Sequence, residues 1–206
     1  MTEQLRATVV GNALMSFFPG VDKDMRERAQ TAMLFAQRAT RDVVESGQVS
    51  DGYDYYRQQL KFLGWDATSP REHFDPDLER RSAHETMLAR IGAAAGDEYA
   101  EVTRWSLDTL GVMQPALLHF EQRSLASTSF QLLPCRVTRP GYLDMVLYHE
   151  TLEREERSNG FLYRERTSLR VRAELVRFNA RLFEQQFGDK VRQRLLKTLE
   201  EELYEL

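Results

Sequence analysis

Cys135 is the only cysteine among 206 residues, so its thiol has no internal disulfide partner and serves either packing or chemistry. It lies in Phe130-Gln131-Leu132-Leu133-Pro134-Cys135-Arg136-Val137, a run with the composition of a β-strand. An isolated cysteine in such a run is ordinarily a small buried hydrophobe. Chemistry would require a base, and the next strand-like run, Tyr142 to Thr151, carries His149. Alternation puts Gln131, Leu133, Cys135 and Val137 on one face of the first strand, and Leu143, Met145, Leu147 and His149 on one face of the second. If the apolar faces coincide, an odd-length turn pairs Cys135 with Met145 or Leu147. His149 is then diagonal to Cys135, about 7–8 Å away between backbones and within side-chain reach, or one step further off. An imidazole in reach would lower the thiol pKa and make a nucleophile–base pair. A register slip of one residue moves His149 to the opposite face, and a histidine ending a strand in solvent touches nothing.

A second use of Cys135 needs no base. A thiol lined by Leu133, Val137, Met145 and Leu147 suits a fatty-acyl thioester, because burial shields the ester from water and each buried methylene contributes about 0.8 kcal/mol. The same lining suits an ordinary core.

The remaining residues exclude more than they assign. His73, His84 and His119 lack metal-ligand spacing, and His84-Glu85 lacks the second histidine of a zinc-protease helix, so no metal site is expected. Gly92-Ala93-Ala94-Ala95-Gly96 lacks the Lys-Ser/Thr of a phosphate loop. Ser127, Thr128 and Ser129 sit in no nucleophile elbow. Tyr53, Tyr55, Tyr56 and Trp65 line either a pocket or a helix–sheet core. Glu200-Glu201-Glu202 reads as the solvated end of the last helix. The net charge is −4, with 28 basic residues interspersed among 32 acidic ones, which argues against nucleic acid as the main partner. The most basic stretch, Arg164 to Arg177, alternates Arg with Glu and apolar residues and reads as the wet side of a strand. No run reaches the roughly 18–20 apolar residues of a membrane span, and Ala7 to Phe18 is only mildly apolar, without a signal-peptide cleavage pattern. A cytoplasmic location is the expectation, with signal-less export and peripheral membrane contact left open.

Helical periodicity must position the front of these candidates and two-residue alternation the back. Asp22 opens an amphipathic segment that ends before Ser46-Gly47, and a second runs from about Asp51 to Leu63. A third covers about Leu78 to Ala93, and a fourth runs from Asp97 to about Arg123, kinked or split by Pro115 near Val112. From Ser127 the period becomes two. Strands are expected over Phe130–Thr138, Tyr142–Thr151, Phe161–Arg166 and Leu169–Val176, with a turn at Arg139-Pro140-Gly141. Phe178 to Phe187 returns to helix, and Gly188-Asp189 should break it and cap a last one. The pattern is α+β: N-terminal helices packed on a mainly antiparallel β-sheet with C-terminal helices, one layer of each, in a single domain over residues 1–206.

Several segments together resemble the Evf-type bacterial virulence-factor family. They are Met33-Leu34-Phe35-Ala36-Gln37-Arg38-Ala39, Tyr56 through Leu63-Gly64-Trp65, Phe130-Gln131 with Cys135 four residues on, Phe178-Asn179, and the closing Val191-Arg192 helix. The likeness spans residues 20 to 200. It implies an α/β fold whose cysteine, matched here by Cys135, carries a long-chain fatty acid as a thioester in an apolar interior. The expectation that follows is an acyl-thioester-forming protein, leaning to a cysteine-dependent acyltransferase or thioesterase. It would take its acyl group from an acyl carrier protein or coenzyme A thioester, with His149 as base, Gln131 and Asn179 as polar helpers, and no other cofactor. The alternatives are a non-catalytic virulence or interaction factor with a permanently bound, structural fatty acid, and an inert ligand-binding module.

Overall fold

A computed structural model describes residues 4–49, 52–67, 72–74, 81–152, 160–163, 165–166 and 170–206. In chain order these form β1 (Arg6–Val10), β2 (Ala13–Phe17), α1 (Lys23–Glu45), α2 (Gly52–Phe62), β3 (Trp65–Ala67), β4 (Glu72–Phe74), β5 (Arg81–Ser82), α3 (Ala83–Ala95), α4 (Asp97–Val112) and α5 (Gln114–Ser127). They continue with β6 (Ser129–Arg139), β7 (Tyr142–Thr151), β8 (Glu165–Arg166), β9 (Arg170–Asn179), α6 (Ala180–Phe183), α7 (Asp189–Glu202) and β10 (Leu203–Glu205). The fold is α+β.

One sheet runs β10-β1-β2-β6-β7-β9-β3, with β4 also paired to β9. Every pairing in it is antiparallel except β2 with β6. The expected N-terminal helices are therefore preceded by a hairpin, since Ala7 to Phe18 contains most of β1 and all of β2. The β1–β2 turn holds Gly11 at φ +57°, a left-handed conformation that favours glycine, and a Cβ there would lie 2.3 Å from Gln37 Oε1 and displace that amide.

The expectation of one helical layer is corrected, because both faces of the sheet are covered. Residues at helical spacing on α1 and α2, among them Met33, Ala36, Tyr56 and Leu60, pack with Phe183 and Val191 on the face that carries Leu133, Cys135, Met145 and Leu147. Met87, Ile91, Leu107, Leu110 and Phe120, from α3, α4 and α5, pack on the opposite face against Phe130, Leu132, Val146 and Tyr148. Strand alternation thus feeds two cores, and the face assignments read from β6 and β7 hold.

Local signals set some helix ends. Asp22 caps α1 by accepting from the Met25 amide at 2.7 Å. Pro115 enters the first turn of α5, so the long fourth segment splits at Met113. Two expectations fail here. Phe161–Tyr163 forms a 3₁₀ turn and only Glu165–Arg166 is strand, pairing with β5. Gly188 neither breaks nor caps: it is helical at φ −45°, ψ −56°, and the π-helical stretch Glu184–Gly188 leads into α7. Glu184 holds that stretch, accepting from Arg28 at 2.9 Å and Arg192 at 2.5 Å. Residues 75–80, which cover the start of the expected third helix, and residues 153–159 lie outside the described residues. No described helix is long and apolar enough to cross a membrane.

Candidate functional site

Cys135 is fully buried, in one apolar cluster with Leu133, Met145 and Leu147, against which Val137 packs. Its thiol donates to the Leu133 carbonyl at 3.2 Å. Burial pushes the thiol pKa well above its ordinary value, the opposite of what an activated nucleophile needs.

The register then separates Cys135 from its expected base. Phe17, Cys135, Met145 and Val176 form one row across β2, β6, β7 and β9, whereas Ala13, Gln131, His149 and Arg172 form another. Four residue steps along β6 separate the rows, about 13 Å at the usual strand rise. The Cys135–His149 pair is corrected: both residues share a face, but His149 takes the further of the two expected positions. Gln131 goes with His149 rather than with the thiol, accepting from the Tyr56 hydroxyl at 2.8 Å. Asn179 is a helix cap, accepting from the Leu182 amide at 3.1 Å at the start of α6. The four residues expected to line an acyl chain do surround the cysteine's strand position. The polar residues expected to serve it do not.

Gln131 and His149, but not Asn179, help to line a cavity of about 350 Å³. Its floor is the polar end of the sheet face that elsewhere is apolar: Ser129 and Gln131 from β6, His149 and Thr151 from β7, Arg170 and Arg172 from β9. Its wall is the C-terminal half of α1 (Gln37, Thr40, Arg41, Val44, Glu45) and the start of α2 (Gly52, Tyr53, Tyr56). The end of α5, Ala126 to Thr128, and Asn12 from the first hairpin complete it. Thr128 takes a left-handed conformation, φ +54°, which turns the chain from α5 into β6.

Hydrogen bonds fix this lining. Tyr53 donates to Glu174 Oε1 at 2.8 Å, and Arg57 donates to the same oxygen at 2.9 Å and to the Trp65 carbonyl at 3.1 Å. Arg57 and Glu174 are both buried, so the charge-assisted pair clamps α2 onto β9. Glu174, expected on a wet strand face, is instead buried beneath α2. The His149 ring meets Tyr53 edge-on at 4.8 Å, and the Arg172 guanidinium lies over the same ring at 4.8 Å. Asn12 donates to the Ser129 carbonyl at 3.0 Å, and Gln37 to the Val10 carbonyl at 3.1 Å. The Thr40 and Ser127 hydroxyls donate to the Ala36 and Arg123 carbonyls, which leaves their oxygens as acceptors.

Tyr53 and Tyr56 thus line a pocket, as one sequence reading allows, while Trp65 is core, stacked on Phe178 at 4.5 Å. Asn12, Gln37, Arg170 and Arg172 escaped the sequence reading. The available signal was a cluster of polar residues on alternate positions at one end of three neighbouring strands, which becomes visible only once their register is known. Among the described residues no group of three or more His, Cys, Asp or Glu could hold a metal ion.

No protein-family model matches the chain, and no curated protein matches it. Among solved structures, the chain is similar to one titled "Structure of the Evf virulence factor", with a TM-score of 0.33 and 8% identity, covering 94% of this chain and 82% of that one. This is a diffuse structural resemblance.

Proposed function

We propose that the protein is a ligand-binding module that takes a small polar molecule into the cavity between α1, α2 and the polar end of the sheet. The observation that carries this reading is the cavity itself, about 350 Å³. That is at the small end of the range for ligand sites, and Tyr53, Tyr56, Arg57 and Glu174 hold its wall in place by buried hydrogen bonds. A screen of polar fragments by thermal shift, repeated on Ala126→Trp, tests it. Ala126 is exposed at the end of α5, so an indole there fills the cavity without entering either core. Fragments should stabilise the wild type and not the variant. An absence of hits at millimolar concentration, or hits indifferent to the indole, would overturn the reading.

A second reading keeps the acyl thioester as a structural group. It is favoured by the placement of Cys135 in one apolar cluster with Leu133, Met145 and Leu147. A thiol so buried, with a raised pKa and with His149 four residue steps away in the register, argues for a group attached before the core closes rather than one turned over by an acyltransferase or thioesterase. Intact-mass spectrometry decides it. A mass excess of fatty-acyl size, removed by hydroxylamine and missing in Cys135→Ala, supports the thioester; an unmodified mass after incubation with acyl donors sinks it.

A further inference from the structure

Building on the ligand-binding reading, we infer that the cavity selects an organic anion, a small molecule bearing one carboxylate or phosphate, through Arg41 and Arg170. The lining carries three guanidinium groups, on Arg41, Arg170 and Arg172, against the single carboxylate of Glu45. The chain as a whole is acidic, with a net charge of −4, so this local excess of positive charge runs against the molecule's average.

The guanidiniums differ in what occupies them. Arg172 lies over the Tyr53 ring. Arg41 and Arg170 have no hydrogen-bond or ion-pair partner among the described residues; Arg41 also favours the ionised form of Glu202. They come from different elements, α1 and β9, and the fold brings them to one cavity. Guanidinium groups are the side chains best matched to planar carboxylate and to phosphate oxygens.

One effect opposes the inference. The C-terminal ends of α1 and α5 both lie at the cavity, and each contributes a partial negative charge of about half an electron that fades within its last turn. The N-terminal end of α2 contributes the reverse. The full charges of Arg41 and Arg170 outweigh the net of these partial ones together with Glu45. The hydroxyl of Thr151, beside Arg170 in the sheet register, adds a donor of the kind that phosphate and carboxylate oxygens accept from. The Tyr53 and His149 rings give the rest of the ligand a flat apolar surface.

The test is calorimetric titration with benzoate and phenyl phosphate, each against a neutral counterpart, benzamide and benzyl alcohol. The proteins are the wild type, Arg41→Gln, Arg170→Gln and Ala126→Trp. The anions should bind the wild type and the neutral compounds at least tenfold more weakly. Each Arg→Gln change should weaken the anions by roughly tenfold or more, and Arg170→Gln should leave the thermal midpoint of the free protein in place, while Arg41→Gln should lower it slightly through the lost attraction to Glu202. The tighter of the two anions identifies the head group. If neutral compounds bind as well as anions and Ala126→Trp abolishes both, the anion inference falls and the cavity reading stands. If anions bind Ala126→Trp unchanged, or if no compound binds, both fall.

Discussion

At the residue scale, burial governs what Cys135 can do. Its thiol pKa is raised because the thiolate would have no water, and its hydrogen is already committed to the Leu133 carbonyl. Native protein at neutral pH should therefore resist a disulfide reagent such as dithionitrobenzoate, and react with one equivalent only after unfolding in guanidinium chloride. Rapid labelling of the native protein would show the thiol to be open. The other single residue on which much depends is Glu174. It is buried and accepts from both Arg57 and Tyr53, so removing its charge leaves the Arg57 cation buried without that partner. Breaking such a pair from one side costs about 3–5 kcal/mol. Glu174→Ala should lower stability by that amount in chemical denaturation. The double variant Glu174→Ala with Arg57→Met should recover part of it, and a single variant as stable as the wild type would refute the clamp between α2 and β9.

At the element scale, the sequence was legible where its information is local. The period-two faces of β6 and β7 were read correctly because side-chain alternation needs nothing beyond the strand, and Pro115 marked the α4–α5 break because its ring excludes a continuous helix. Register was not legible. The pairing shifts by one residue between Val137 and Arg139, and that irregularity decides whether His149 shares a face with Cys135 at all, since the Arg139–Tyr142 register carried on unbroken would set Cys135 opposite Val146. The parallel pairing of β2 with β6 is also invisible in sequence, because it joins residues more than a hundred positions apart. That pairing turned a mildly apolar N-terminal stretch into two strands. Gly188-Asp189 looked like a helix stop, yet the Arg28 and Arg192 contacts to Glu184 carry the backbone through it, an instance of tertiary contacts overriding a local signal. The β1–β2 turn offers a direct test of local strain against packing. Gly11→Ala places a Cβ on a left-handed backbone and against Gln37, and should cost roughly 1–3 kcal/mol from the backbone alone. Adding Gln37→Ala should relieve the contact but not the strain, so the two changes should be non-additive. Simple additivity in urea titrations would place the turn and Gln37 out of contact.

At the scale of the whole molecule, ion pairs join the ends of the chain to its middle, and they make stability depend on pH. Glu202, expected in solvent, is buried. It pairs with Arg123 at 2.6 Å and lies 3.3 Å from His119 Nε2, in the segment that leads into β10 and its pairing with β1. Burial pushes its pKa up, but the adjacent His119 imidazole and the charges of Arg123 and Arg41 outweigh that and hold it below the ordinary value. Glu184 is lowered as well, chiefly by Arg192, against burial, with Arg28 adding to the effect. A carboxylate with a depressed folded-state pKa contributes stability that is fully present above its unfolded value. That stability is lost as pH falls through the folded value. His84 is lowered by burial, so the folded state resists its protonation and stability also declines as pH drops below the histidine range. The thermal midpoint should therefore fall gently once pH passes below about 6.5 and steeply below about 4.3, the unperturbed histidine and glutamate values. Glu202→Gln should lower the midpoint at neutral pH and flatten the acid limb, because the group that gains a proton on unfolding is gone. Hydrogen exchange should show the β1–β10 pairing opening first in acid. An acid limb unchanged by Glu202→Gln, with the Glu184→Gln limb flattened instead, would move the acid-sensitive contact from the C-terminal strand to the π-helical turn.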